Sequence, residues 1–304
     1  PTKSGDSLVT ELRLEDLDGL YLQITTIKVF DQQAQVHRFL KVLRDVSRED
    51  AIAKSKSEFI SVAAHQLRTP LSAIKWVFKM LLDGDAGPIN EEQKDYLQKG
   101  YDSNERIIEL VGDMLDVARI EEGRFGFEFY YVDILDVVQK AIDTFEVKAK
   151  EKNIQLIFEK PSYIINPIKI DSARIGLVMQ NLVDNALKYT HNDGVVNVKV
   201  EVVDSYVQIS ITDTGIGIPR DLQGKLFGKF FRGANAVKLQ TEGSGLGLFI
   251  VKNIVRQHGG DGWVRSEEGK GTTFYVALPL KEEMMAAQNG EKLSEFVDGL
   301  NTNS

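Results

Sequence analysis

The sequence has no cysteine, only four histidines, and no apolar run long enough to cross a membrane. The absence of cysteine excludes disulfides, thiolate metal sites and cysteine nucleophiles. The histidines are scattered without the spacing of metal ligands, which argues against a zinc site. Basic residues are also in deficit, 37 against 45 acidic residues for a net charge of −8, so we expect no nucleic-acid partner.

The length of 304 residues predicts two or more domains, and the first residue is Pro1 instead of methionine. No signal peptide is visible. We therefore expect this chain to be cytoplasmic, with any membrane connection supplied by a segment upstream of Pro1.

The most informative stretch is a helical pattern around His65. Its apolar seam alternates spacings of three and four, at Ile60, Ala63, Leu67, Leu71, Ile74, Phe78 and Leu81. His65 lies off this seam, Arg68 and Thr69 follow one turn later, and Pro70 is expected to bend the helix. A neutral imidazole is a usable nucleophile near pH 7. Taken alone, however, an ordinary surface histidine explains the pattern better, so the rest of the chain has to decide.

Residues 1–47 alternate apolar and polar positions over 8–14, 21–29 and 36–43, which predicts three strands with a hairpin turn at Asp18-Gly19. The stretch from Leu43 to Ser47 resembles the end of a PAS sensor domain and its exit into a signalling helix. A partial PAS-like segment and a small β extension are the two alternatives.

Residues 48–122 predict a helical hairpin. A long helix over 48–82 ends at Gly84 to Pro88, and a second helix, capped by Asn90, runs to about residue 121. One hairpin cannot cover its own apolar stripes, whereas two hairpins can do so as a four-helix bundle. The pattern therefore predicts a homodimer.

Residues 123–281 alternate strand and helix patterns. Strands are predicted over 127–132, 154–158, 195–203, 206–212, 263–266 and 273–278, and helices over 134–150, 172–189 and 246–258. The helix over 172–189 is expected to be capped by Asp171. Mixed strands with helices on one side predict a two-layer α/β sandwich. Residues 282–304 follow as a C-terminal tail.

The helix around residues 179–189 carries a polar stripe, with Asn181, Asn185 and Lys188 at i, i+4 and i+7. Amide oxygens and a lysine can hold a magnesium ion and phosphates, although a solvated helix face is the common alternative. Asp213 follows a strand and is flanked by glycines. A carboxylate in that place can accept a hydrogen bond from an adenine amino group.

A second glycine-rich segment, residues 243–248, opens a helix, where free amides can hold phosphate. It is neither a P-loop nor a dinucleotide fingerprint, because its spacing differs from both. The aromatic segment from Phe227 to Gly233 precedes it and could anchor a mobile flap, with Arg232 within reach of a phosphate. A hydrophobic cluster under a long loop is the plainer alternative.

Together and in this order, the motifs resemble those of a two-component sensor histidine kinase. His65 to Pro70 is similar to the phosphoacceptor box, and residues 181–189 to the N box. The first glycine box is similar to residues 213–219, and the F box is similar to residues 227–232. The two remaining glycine boxes are similar to residues 243–247 and 269–274. The resemblance covers residues 45–280 and implies a multidomain α+β protein: a dimeric helical hairpin, then an ATP-binding domain of the GHKL type.

The resemblance also implies roles. His65 would accept the γ-phosphoryl group of ATP and pass it to an aspartate of a response regulator, with Gln66, Arg68 and Thr69 beside it. Thr69 matches the position that orients water for dephosphorylating the regulator. Asn185 would ligate Mg²⁺. The implied nucleotide site comprises Asn181, Asn185, Lys188, Tyr189, Asp213, Gly215, Gly217, Ile218, Phe231, Arg232, Gly243, Gly245, Leu246, Gly247, Leu248 and Thr273.

Gln66 departs from the family pattern, which has a carboxylate directly after the histidine. Its amide oxygen can accept a hydrogen bond but cannot take up a proton. Gln66 is a natural variant or an engineered change, and three functions stay open: an active autokinase, another ATPase of the GHKL superfamily, and a nucleotide-binding pseudokinase or scaffold.

Overall fold

The computed structural model describes residues 2–4, 7–14, 20–31, 36–233, 236 and 243–281. The tail over 282–304 and the predicted turn at Asp18-Gly19 lie outside these residues. The chain divides into two compact units, residues 1–70 and 71–304, so that the first long helix begins in one unit and ends in the other.

The first unit begins with an antiparallel sheet in the order β1-β2-β3-β4. The strands are β1 (Thr2–Ser4), β2 (Ser7–Leu14), β3 (Leu20–Asp31) and β4 (Val36–Asp45). The three predicted strands are present, and β1 is an additional short one. At the exit, Ser47 Oγ accepts a hydrogen bond from the Tyr21 amide at 2.8 Å and donates one to Asp45 at 2.6 Å. These bonds tie the start of the following helix to the sheet, and the PAS-like character of the segment stays a prediction.

Two long helices follow, α1 (Ser47–Asp83) and α2 (Glu91–Glu121), which confirms the predicted helical hairpin. Asn90 and Gln93 form a reciprocal capping box at the start of α2. Pro70 lies inside α1 without ending it, so the helix tolerates the lost backbone hydrogen bond.

Side-chain contacts fix the register of the hairpin from residue 71 onward. Phe78 lies directly on Gly100, where a Cβ atom would stand 2.7 Å from the ring. Asn104 is buried and donates to the Leu71 carbonyl at 3.0 Å, and the Lys75 ammonium lies 2.7 Å from Glu105. Because a buried amide without a partner is costly, the Asn104 bond favours this one alignment.

The α/β domain is built on a five-stranded mixed sheet in the order β10-β11-β9-β8-β6. Its strands are β6 (Gln155–Glu159), β8 (Val195–Val203), β9 (Tyr206–Asp213), β10 (Asp261–Glu267) and β11 (Gly271–Pro279). Only the β6–β8 pairing within this sheet is parallel. The helices are α3 (Ile134–Asp143), α4 (Glu146–Glu151), α5 (Ser172–Tyr189), α6 (Arg220–Gln223) and α7 (Gly247–Gln257). The longer helices pack on the sheet, which confirms the two-layer α/β sandwich.

Two local predictions in this domain were wrong. The single helix expected over 134–150 is two helices, because the Thr144 hydroxyl bonds the Ala141 carbonyl at 2.6 Å and the chain turns there. The strand expected over 127–132 is reduced to β5 (Tyr130–Val132), which pairs with β7 (Ile168–Ile170), a strand that was not predicted. The α5 cap at Asp171 is confirmed, since its carboxylate accepts the Arg174 amide at 3.0 Å.

The core of the domain joins the sheet to α3, α5 and α7, and it extends to the last turns of α2. Val117 belongs to this core, and Met114 and Ile120 pack against it. The second half of α2 is therefore attached to the α/β domain within residues 71–304. Across the described residues, no helix is both long and apolar enough to span a bilayer.

Candidate nucleotide and phosphoacceptor sites

The predicted phosphoacceptor group lies on the exposed surface of α1. His65, Gln66, Arg68 and Thr69 are all exposed, whereas the neighbouring Ala64 is buried. Helical geometry places Arg68 and Thr69 one turn beyond His65, on the same side. The imidazole is therefore accessible to a bulky reactant, as the position of His65 outside the apolar seam predicts.

Asp213, at the end of β9, is the most strongly perturbed acid of the α/β domain. Its Oδ1 accepts the amides of Gly215 at 2.9 Å and of Thr272 at 3.2 Å. Burial raises the pKa of its carboxyl to about 6, although these two hydrogen bonds oppose the shift. Both bonds use Oδ1, so Oδ2 is left to accept from a ligand. A buried carboxylate with one oriented free oxygen suits recognition of an adenine amino group.

The two glycines after Asp213 are required by the close packing of the chain around them. A Cβ on Gly215 would lie 2.3 Å from the Tyr189 carbonyl, and one on Gly217 would lie 2.0 Å from the Glu267 carbonyl. Gly217 also has φ +65°, which favours glycine. The Ile218 amide donates to Ser266 Oγ at 2.8 Å, so this segment is held against β10.

The polar stripe of α5 contains one amide that is free for a ligand. Asn181 donates to the Leu177 carbonyl at 2.9 Å, and its Oδ1 faces Gly247 so closely that a Cβ there would be 2.3 Å away. Half-buried Asn185 makes no side-chain hydrogen bond to any other described residue. Lys188 is already paired with Asp184, whose carboxylate lies 2.5 Å from the ammonium. Of the predicted stripe, Asn185 is thus the residue most available to a new partner.

The second glycine segment forms the start of α7 and is shaped by its glycines. Gly245 has φ +67°, and a Cβ there would lie 2.8 Å from the Phe230 backbone. Leu246 is fully buried, and its amide donates to Ser244 Oγ at 3.2 Å. Arg232 donates to the Gly243 carbonyl at 3.3 Å. The backbone amides of residues 245–247 thus lie at the positive end of the α7 dipole, a setting that favours phosphate. Phe231 and Leu248 are half-buried beside this segment.

Two residues on the Asp213 side of the site, Thr272 and Ser266, were not predicted from the sequence. Thr272 pairs with Asp213 across β9 and β11, and its hydroxyl lies 2.9 Å from Ser266 Oγ. The predicted residue Thr273 pairs instead with Thr212, and their exposed hydroxyls lie 3.1 Å apart. Strand alternation puts the two threonines on opposite faces. The strand register decides which threonine meets Asp213, and the sequence alone did not supply it.

The donor set fits a magnesium ion that is held mainly by its nucleotide. Among the residues that the structure describes, no three histidine or acidic side chains form a metal cluster. The Asn185 amide oxygen is the kind of hard ligand that Mg²⁺ takes alongside phosphates and water. The Asn185 side chain therefore fits an Mg²⁺ ion that a nucleotide brings with it.

Two family models match the chain over the regions just described. The His Kinase A (phospho-acceptor) domain matches residues 55–123. The histidine kinase-, DNA gyrase B-, and HSP90-like ATPase matches residues 170–282. The first match separates the chain from gyrase-like and HSP90-like ATPases, because it covers the histidine box.

Individual relatives agree with both matches. The sensor histidine kinase WalK of Bacillus subtilis is 31% identical over 280 residues, covering 91% of this chain and 45% of WalK. Full-length ShkA in complex with AMPPNP superposes with a TM-score of 0.61 at 27% identity, covering 73% of this chain and 45% of ShkA. The histidine kinase ThkA in complex with the response regulator protein TrrA shares the fold, with a TM-score of 0.54 at 22% identity over 91% of this chain and 79% of that one.

The chain belongs to the sensor histidine kinases of two-component systems. It spans between 32% and 45% of the length of the first three curated relatives that it matches.

Proposed function

We propose that this chain is an ATP-dependent protein autokinase that phosphorylates His65 and passes the phosphoryl group to an aspartate of a response regulator. The proposal rests on one observation above the others. An exposed histidine in a phosphoacceptor box shares the chain with a buried adenine-type carboxylate, Asp213, and a glycine-rich helix start.

The nucleotide-holding roles follow from the contacts of each group. Asp213 Oδ2 accepts a hydrogen bond from the adenine amino group, while the glycines at 215 and 217 let this segment pack against the Tyr189 and Glu267 carbonyls. Amides at Gly245 and Gly247, together with Arg232, hold the phosphates. Asn185 holds Mg²⁺, which neutralises phosphate charge when bound, and Asn181 fixes the facing glycine segment. Lys188 reaches a phosphate by exchanging its partner Asp184.

The chemical step needs little covalent work from the protein. One imidazole nitrogen of His65 bonds to the γ-phosphorus, the bond to the β–γ bridging oxygen breaks, and ADP leaves. The amide oxygen of Gln66 accepts a hydrogen bond from the other ring N–H and stabilises the developing imidazolium as a dipole. In the second step the phosphoryl group moves to the regulator's carboxylate and neutral His65 is restored. In a separate hydrolysis, Thr69 orients a water that attacks the regulator's aspartyl phosphate, which releases inorganic phosphate and restores the carboxylate.

The helical hairpin over residues 48–122 supplies the dimer interface in this proposal, and residues 123–281 form the catalytic domain. Large apolar side chains stay uncovered on α1 in the single chain: Phe59, Val62, Leu67, Ile74, Trp76 and Val77 are each at least 45% exposed. Such a row is typical of a helix that packs on other helices. A second copy would cover it in a four-helix bundle. ThkA, which shares the fold, binds a response regulator, and this supports the same class of partner here.

Labelling with [γ-³²P]ATP and Mg²⁺ tests the proposal. The wild-type chain should gain acid-labile phosphate, and His65→Ala should lose it while nucleotide binding stays intact. His191→Ala removes another exposed histidine and should label as the wild type does. Label retained by His65→Ala would refute the assignment.

A further inference from the structure

The start of α7 already has an anionic partner that comes from the chain itself. Ser244 Oγ donates to Oδ2 of Asp113 on α2 at 2.7 Å, and the same hydroxyl accepts the Leu246 amide. A carboxylate therefore lies at the end of α7 where amides and the helix dipole favour negative charge. This is the helix end to which the proposed function assigns the ATP phosphates.

A second contact holds α2 to the segment that precedes α7. Glu121, in the last turn of α2, forms an ion pair with Lys229 in the aromatic segment. Between the two polar contacts, Val117 is buried in the core of the α/β domain. Contacts at residues 113, 117 and 121 recur at every fourth position. One face of α2 therefore lies against the described residues 227–233 and 243–246 that precede α7, which are called the lid below.

The groups around Asp113 act on the pKa of its carboxyl in opposite directions. Burial and the neighbouring Asp116 raise the pKa of its carboxyl, while the Ser244 bond and Lys188 oppose the rise. Lys188 is also one of the residues expected to meet a phosphate. Asp113 thus contacts Ser244 of the phosphate site, and an incoming triphosphate would bring several like charges next to a half-buried carboxylate.

We infer that Asp113 is a nucleotide-displaced latch: its carboxylate occupies the phosphate end of α7, so nucleotide binding and the docking of α2 onto the lid oppose each other. The inference rests on the proposed function, because it assumes that ATP binds at this helix start. Binding releases Ser244 from Asp113, and the lid segment leaves α2. By thermodynamic reciprocity, a docked α2 lowers the affinity for ATP by the same factor by which ATP weakens docking.

The affinity of the full chain for Mg-AMPPNP, measured by calorimetry, is the first test. Asp113→Asn removes the charge and keeps the shape, and it should raise the affinity about tenfold, within the usual range of coupling between sites. Glu121→Gln weakens the ion pair with Lys229 without changing the glycine segment, and it should raise the affinity for Mg-AMPPNP by a smaller factor. Glu109→Gln is the matched control: it removes a charge one turn earlier on α2, where Glu109 is exposed and contacts no described part of the lid. It should bind as the wild type does.

The absence of cysteine allows a direct test of the docked state. In the double variant Glu121→Cys, Lys229→Cys, a short bis-maleimide should join the two residues readily, and saturating Mg-AMPPNP should slow the reaction several-fold. Unchanged affinity in Asp113→Asn, or a cross-linking rate that ignores nucleotide, would overturn the latch while leaving the proposed kinase intact. Failure of every variant and the wild type to bind Mg-AMPPNP would overturn the proposed function, and the latch with it.

Discussion

Replacing Asp213 by asparagine should separate the stability of the α/β domain from its affinity for nucleotide. The structure holds Oδ1 between the amides of Gly215 and Thr272, so an asparagine keeps its oxygen in that place. Its NH₂ group must then replace Oδ2. The substitution removes a buried charge and turns the ligand-facing acceptor into a donor.

The stability change follows from the pKa of Asp213. The folded state raises this pKa from 3.8 to about 6, roughly two units, and each unit corresponds to 1.36 kcal/mol. Because the raised pKa means that the folded state prefers the protonated acid, ionised Asp213 destabilises the fold by about 3 kcal/mol above pH 6. The penalty falls as pH drops toward 3.8, to about half at pH 5. Asp213→Asn should therefore be more stable than the wild type at pH 7.5, with a smaller gain at pH 5.

The nucleotide should respond in the opposite direction. An adenine amino group facing the asparagine NH₂ meets a donor where it needs an acceptor. Such a buried mismatch leaves polar groups unpaired and therefore lowers the binding affinity strongly. We expect the affinity for Mg-AMPPNP to fall about hundredfold. The ligand-induced rise in melting temperature should vanish accordingly.

Urea unfolding at pH 7.5 and pH 5, each with and without Mg-AMPPNP, measures both effects. Asp204→Asn serves as the control, since it removes an exposed carboxylate from the β8–β9 turn at φ +55°, a conformation that asparagine tolerates. A less stable Asp213→Asn protein at pH 7.5, or one that binds nucleotide as the wild type does, would refute the reasoning.

Three further predictions concern single side chains. Asn185→Ala removes an amide that makes no hydrogen bond to any other described residue, so the melting temperature without ligand should change little. The rise in melting temperature with Mg-AMPPNP should be lost, and an undiminished rise would exclude Asn185 as a ligand of Mg²⁺. Gln66→Glu should speed single-turnover labelling of His65 about tenfold, because an ionised acceptor strengthens the hydrogen bond by ~1–2 kcal/mol; equal rate constants would mean that another step limits the rate. Buried His258 accepts the Asp171 amide on Nε2 at 3.0 Å, so its proton lies on Nδ1 and faces the Ile254 carbonyl at 2.8 Å. Burial lowers the pKa of His258, so its stabilisation is complete above pH 6.5 and declines as pH falls below that value. The stability advantage of the wild type over His258→Asn should therefore shrink between pH 7 and pH 5, and a constant difference in urea unfolding would contradict this.

The sequence alone determined the class of protein and the main elements, because their signals are local. The histidine box, the polar stripe of α5 and the glycine segments each place chemistry within a few turns of chain. Helix ends such as those at Asn90 and Asp171 are also local, since a cap bonds amides two or three residues away. The same holds for the two-layer fold, which follows from the alternation of strand and helix periods.

Only the tertiary structure decided how distant segments meet. The short strand β7 has three residues and acquires its identity from pairing with β5, nearly forty positions earlier. The strand register brings Thr272, and not Thr273, to Asp213, and the packing of that end of the sheet raises the pKa of the carboxyl. The bond between Asp113 and Ser244 joins residues 131 positions apart. No local propensity encodes such a contact, because burial, register and pairing depend on groups that become neighbours only when the chain folds.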